Sequence, residues 1–165
     1  MTKEEKELLT KVLCEQLLYG VIVNASYKDG DGWKNNDRKL LGVYQHDGQV
    51  YLDGVYTSID NVKPYLRPLS SMTKEEKEEL LTLLVGEDAI GYFQVEGNEI
   101  TNTDEKIQFS PNWQYHWLNF SNENILLYVD WLNARHFDYR SLIEMGLAIA
   151  AVGEDNPYNE KGGEE

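Results

Sequence analysis

Leu40-Leu41-Gly42-Val43-Tyr44-Gln45-His46-Asp47-Gly48-Gln49-Val50-Tyr51-Leu52-Asp53-Gly54-Val55 reads as two extended runs joined at Asp47-Gly48. Asp-Gly is the dipeptide best suited to a two-residue type I′ turn, because both positions of that turn need positive φ. Leu40–Tyr44 and Gln49–Val55 are therefore expected to form a hairpin. Upstream, Val21, Val23, Ala25 and Tyr27 alternate with polar residues, which puts them on one face of a first strand. Lys28 to Asp37, with Gly30, Gly32, Asn35 and Asn36, reads as a polar connection or a long hairpin tip. Downstream come a short strand near Tyr56–Ile59 and the stiff run Lys63-Pro64-Tyr65-Leu66-Arg67-Pro68. Four or so short strands of this kind close most naturally as a small SH3-like barrel or a curled meander, which leaves few open edges.

Helices flank that β-rich centre. Thr2 followed by Glu5 is a capping box, and Leu8, Leu9, Val12, Leu13 and Leu17 recur at helical spacing until Gly20. The same opening returns, since Met1-Thr2-Lys3-Glu4-Glu5-Lys6-Glu7 is repeated as Met72-Thr73-Lys74-Glu75-Glu76-Lys77-Glu78 ahead of Leu80, Leu81 and Leu84. A shared solution to helix capping explains so short a repeat. Ala89–Val95, Ile100 and Lys106–Phe109 then carry strand signals, and Trp113, Tyr115 and Trp117 alternate along another extended stretch. From Asn122 the pattern is helical, with Ile125 to Leu132 interrupted only by Asp130, so this helix should be buried on most sides. Asp138 can cap a last helix through Leu142, Ile143, Met145 and Leu147. The expected architecture is α+β: residues 1–71 as a helix plus small barrel, residues 72–152 as a helix, a second β-rich insert and a C-terminal helical pair, and residues 153–165 as a disordered acidic tail.

The formal charge is −14. A surface of that sign repels phosphates, so direct nucleic-acid binding is disfavoured and basic partners gain. The charge is uneven, since Gly86–Glu105 holds six acidic residues and no Lys or Arg. No stretch approaches the roughly 18 apolar residues of a membrane span, and the N-terminus opens with Lys and Glu where a secretory signal would be apolar, so the expected location is the cytoplasm. Cys14 stands alone among Leu13, Leu17 and Leu18, which fits a core residue.

Three stretches resemble a group of uncharacterised small proteins of phages, prophages and mobile elements of gut bacteria. They are the capped first helix running into Tyr19-Gly20-Val21, the segment Val62-Lys63-Pro64-Tyr65-Leu66-Arg67-Pro68-Leu69-Ser70-Ser71-Met72-Thr73, and the run from Asp130-Trp131-Leu132-Asn133-Ala134-Arg135-His136-Phe137-Asp138-Tyr139-Arg140 to Ala148. Members of the group often have two adjacent histidines where this chain has Arg135-His136, and a glycine in place of Ser141. The resemblance implies a modular build, with shared flanks around a variable interior, and leaves Gly86–Phe120 as the part particular to this chain.

Chemistry-bearing residues are few. His46, His116 and His136 are far apart in sequence, so no metal-ligand spacing exists. Neither GxxxxGK[ST], GxGxxG nor GxSxG occurs, and no cofactor is expected. Asp29-Gly30-Asp31-Gly32 departs from a calcium loop, because Trp33 stands at a ligand position. His136 with Asp138 fits the joining of two helices better than a general base, because no nucleophile accompanies them. The expected activity is non-catalytic binding of a host or phage protein with a basic surface, such as a defence or nucleic-acid-binding factor. Glu96, Glu99, Asp104, Glu105, Trp113, Tyr115 and Trp117 would form the contact surface, since interfaces favour aromatic anchors with charge at the rim. The alternative is a pocket for a nucleotide-like ligand, for which Arg67, Arg135, His136 and Arg140 are the candidate contacts.

Overall fold

A computed structural model describes residues 1–44, 48–85, 93–96, 99–102 and 122–159. The chain is α+β and divides into two compact units, Met1–Arg67 with Ser141–Glu165, and Pro68–Arg140.

The first unit opens with α1 (Lys3–Gln16). The Thr2 hydroxyl accepts from the Glu5 amide at 3.1 Å and the Glu5 carboxylate accepts from the Thr2 amide at 2.7 Å, so two of the donors orphaned at a helix start are satisfied. Leu9, Val12 and Leu13 are buried against the sheet, each fully buried leucine contributing roughly 1.5–3 kcal/mol. A 3-10 turn, Leu17–Tyr19, ends on Gly20 at φ +71°, a conformation that suits glycine.

The strands are β1 (Ile22–Asp29), β2 (Gly32–Tyr44), β3 (Gln49–Leu52), β4 (Val55–Ser58) and β5 (Val62–Pro68), in the order β4-β3-β2-β1-β5. Val21, Val23, Ala25 and Tyr27 all lie in the core, as their alternation predicts. Leu40, Val50, Leu52, Ile59, Val62 and Leu66 complete that core with Leu142, Leu147 and Ala148.

The sheet is open and mixed and not a closed SH3-like barrel: β1 to β5 pair antiparallel, and a later strand joins β5 in parallel. β4, at its edge, meets β1 through a side-chain bond, Thr57 Oγ1 donating to the Ser26 carbonyl at 2.8 Å, in place of a strand ladder. Of the two readings of Lys28 to Asp37, the long hairpin tip holds and the open connection does not. Asp29 faces Gly32 in register, so Gly30 and Asp31 alone make the turn, and Gly30 has the positive φ (+59°) that a two-residue hairpin turn needs at its first position. The β2–β3 hairpin forms with Tyr44 facing Gln49, a register different from the one a two-residue turn at Asp47-Gly48 would set, and residues 45–47 lie outside the described residues. Gly48 is at φ +59°.

Past Ser141 the chain makes one helical turn, with the Met145 amide donating to the Ser141 carbonyl, and then stops at Gly146 (φ +71°). The expected last helix is therefore a turn. It leads into β9 (Ile149–Ala150), parallel to β5 through Tyr65↔Ile149 and Leu66↔Ala150. Nor does the fold end at Val152: Gly153–Asp155 is a 3-10 turn and Tyr158 is anchored in the first unit by hydrogen bonds.

In the second unit, α2 (Lys74–Val85) repeats the capping box, Thr73 with Glu76 at 2.8 and 3.2 Å. It packs with α3 (Asn122–Ala134) around Met72, Leu80, Leu81, Leu84, Tyr128, Trp131, Leu132 and Phe137. Leu126 and Leu127 of α3 are 70% and 46% exposed, so this helix is less buried than its composition predicts. β6 (Phe93–Glu96) and β7 (Glu99–Asn102) form a hairpin, and β8 (Phe137–Asp138) follows α3. His136, at φ +58°, ends α3 in the left-handed conformation, and Asp138 accepts from the Arg140 amide within a turn, so the pair closes one helix and does not join two.

A candidate ligand cleft in the first unit

The outer face of β1 and β2 carries Ile22 opposite Lys39 and Asn24 opposite Asp37. Tyr65 of β5, Ile149 and Ala150 of β9, and the segment Glu154, Asn156 and Pro157 rise beside them, and together they line a cleft of about 890 Å³. That lies within the range of small-molecule sites, ~300–1,000 Å³.

Tyr158 builds the wall. The β1–β5 ladder runs from Ala25↔Val62 to Val23↔Pro64 and then parts. There the Tyr158 hydroxyl accepts from the Ile22 amide at 3.1 Å and donates to the Tyr65 carbonyl at 2.9 Å, standing in for a ladder bond. Burial pushes the phenol well above its ordinary pKa, which keeps the proton it needs for this double role.

The polar groups divide by sign. Asp37 is held in place by Asn24 Nδ2 and the Tyr65 hydroxyl, both donating to Oδ1 at 2.9 Å. This leaves Oδ2 for a guest. Glu154 is exposed on the facing segment. Lys39 runs its aliphatic stem across Gly20, where a Cβ would meet Lys39 Cε at 3.3 Å and Nζ at 3.5 Å. Glycine at position 20 thus serves two ends, the left-handed φ and room for the ammonium. Arg38 also lines the cleft, but its guanidinium is engaged, donating to the Tyr27 hydroxyl at 2.7 Å, to the Asp53 carbonyl at 3.1 Å and to Asn36 at 3.3 Å. That bond from Arg38 holds the Tyr27 phenol below its ordinary pKa. The cleft therefore offers one ammonium and two carboxylates.

Among the described residues, none of the candidate site residues named from the sequence lines this cleft. Asp104, Glu105, Trp113, Tyr115 and Trp117 lie outside the described residues. Glu96 and Glu99 are directly opposed in register at the end of the β6–β7 hairpin. Arg67 belongs to the first unit, at the end of β5, whereas Arg135, His136 and Arg140 belong to the second. Arg135 is committed there, bidentate to Glu79 at 2.6 and 2.7 Å and 4.2 Å over the Trp131 ring. Trp131 in turn stacks on Phe137 at 5.8 Å. Arg140 lies 5.0 Å over the Tyr139 ring. Among the described residues no group of three His, Cys, Asp or Glu could hold a metal, and no helix is long and apolar enough to cross a membrane. Asp37, Lys39, Tyr65 and Glu154 are scattered along the sequence, and the signal that could have found their site was Pro157-Tyr158, an apolar pair in an acidic stretch. No family model, no curated protein and no solved structure matches this chain.

Proposed function

We propose that the protein is a non-catalytic binder of a small zwitterionic molecule, held in the cleft of the first unit. The observation that supports this reading is the pairing, within one cleft of ligand size, of the Lys39 ammonium with the carboxylates of Asp37 and Glu154. A guest carrying both an ammonium and a carboxylate meets each with its opposite, while a nucleotide would bring two or more phosphate charges to a single available cation. A thermal-shift panel of free amino acids and nucleotides tests it. An amino acid or similar zwitterion should raise the melting temperature, and Lys39→Met and Asp37→Asn should each weaken that ligand about tenfold. A panel in which nothing shifts, or in which only nucleotides do, refutes the reading.

A second reading keeps the protein as an accessory factor of a phage or mobile element that docks on a basic protein through residues 86–120. One feature of the second unit favours it. Glu96 and Glu99 are register partners at the end of β6 and β7, which puts two acidic positions at one end of that hairpin. Capture of a basic partner that persists in the Glu96→Lys, Glu99→Lys variant would rule this out.

A further inference from the structure

On the outward face of β2, β3 and β4 two cross-strand rows run side by side. Gly42, Tyr51 and Tyr56 form one, and Tyr44, Gln49 and Ser58 the other. The alternate residues Val50, Leu52 and Thr57 point into the core, so these rows face solvent. Neither row contains a charged residue, in a chain that is 27% charged. Tyr44 and Tyr56 are 48% and 56% exposed, well beyond what a cross-strand pair needs to stabilise a sheet.

The rings form a shaped surface. Tyr51 and Tyr56 are 4.7 Å apart and tilted by 33°, and Tyr44 reaches Tyr56 at 5.8 Å and 53°. Gly42 leaves a notch between them: a Cβ there would touch Tyr44 Cε2 at 3.6 Å and Tyr51 Cβ at 3.7 Å. The Tyr44 and Tyr56 phenols hydrogen-bond each other and Gln49 stands opposite Tyr44, so the rows carry groups able to donate and to accept.

We infer that this face is a binding site for an uncharged sugar ring, as found in a neutral oligosaccharide. A pyranose presents axial C–H groups to an aromatic face and hydroxyls around its edge, and the surface offers tilted rings with uncharged polar side chains in its rows, the Asp60 carboxylate bonded to Ser58 lying at one end. A flat nucleobase prefers a parallel partner, and its phosphate would meet a molecule of charge −14. A peptide adding itself as a strand would pair along the four-residue edge of β4 and leave the ring face of the sheet uncovered.

The test is amide-resolved NMR of the full chain, titrated with short cello-, malto-, xylo- and chito-oligosaccharides, with adenosine and an apolar peptide as competitors. At least one saccharide should shift Tyr44, Gln49, Tyr51 and Tyr56 saturably while leaving Ile149 and Ala150 of the cleft unmoved. Tyr56→Ala should weaken it about tenfold, and Tyr56→Phe should retain most of the affinity. Gly42→Val fills the notch without removing a ring and should weaken binding as much, which keeps the test valid if the alanine variant misfolds. Absence of any shift across the four saccharides overturns the inference. So do binding that survives Gly42→Val, and shifts produced by adenosine or the peptide alone.

Discussion

Replacing Tyr158 by Phe removes one oxygen and keeps the ring. The lost atom serves two backbone groups, the Ile22 N–H at 3.1 Å and the Tyr65 C=O at 2.9 Å. A typical hydrogen bond contributes ~0.5–1.5 kcal/mol net, and a buried group left without a partner costs ~1–3 kcal/mol. The site is only part-buried, so water takes up some of the slack and the expected loss is about 2 kcal/mol in all. At ~2–4 °C per kcal/mol for a chain of this size, the melting temperature should fall by roughly 6 °C. Hydrogen exchange supplies a local readout, because the Ile22 amide should lose protection while the amides of α2 in the second unit keep theirs. Stability within ~0.5 kcal/mol of wild type, with Ile22 still protected, would refute the bridging role of the hydroxyl.

Ser141 sits at φ +59°, a conformation costing a non-glycine residue roughly 1–2 kcal/mol, so Ser141→Gly should stabilise the protein by about 1 kcal/mol in urea titration. A destabilised variant would show that the hydroxyl earns more than the strain costs. Asp60 accepts a hydrogen bond from Lys6, which holds its carboxyl below the ordinary ~3.9. A depressed folded pKa gives stability that is present above the unfolded value and lost as pH falls through the folded one. Lys6→Met should therefore flatten the stability curve below about pH 4 and merge with wild type in stronger acid. Both partners are more than one third exposed, so the gap at neutral pH should stay under ~1 kcal/mol, and parallel curves would exclude the coupling.

Legibility in the sequence followed periodicity. The two capping boxes at Thr2 and Thr73 and the alternation of Val21, Val23, Ala25 and Tyr27 were readable because each is a local pattern with one physical solution. The arm from Lys28 to Asp37 was readable only as one of two alternatives, since residues 32–37 are exposed and carry no apolar alternation to mark a strand. Leu142, Ile143, Met145 and Leu147 imitate a helix because a single helical turn has the same spacing; the stop lies in the backbone angle at Gly146. β9 is two residues long, too short for any period, and its parallel partner lies over eighty positions away. The cleft shares that cause: its groups converge only after β5 and β9 have met.

The first unit is discontinuous, since Pro68–Arg140 interrupts it. During vectorial synthesis the second unit has all its residues before the first does. The sheet emerges from the ribosome early but waits for Leu142, Leu147 and Ala148 to fill its core, and for Tyr158 to span β1 and β5. Closure across so long a sequence separation is intrinsically slow. The cleft thus forms late, and a nascent chain stalled before position 158 would carry a complete second unit and a sheet still unable to hold a guest.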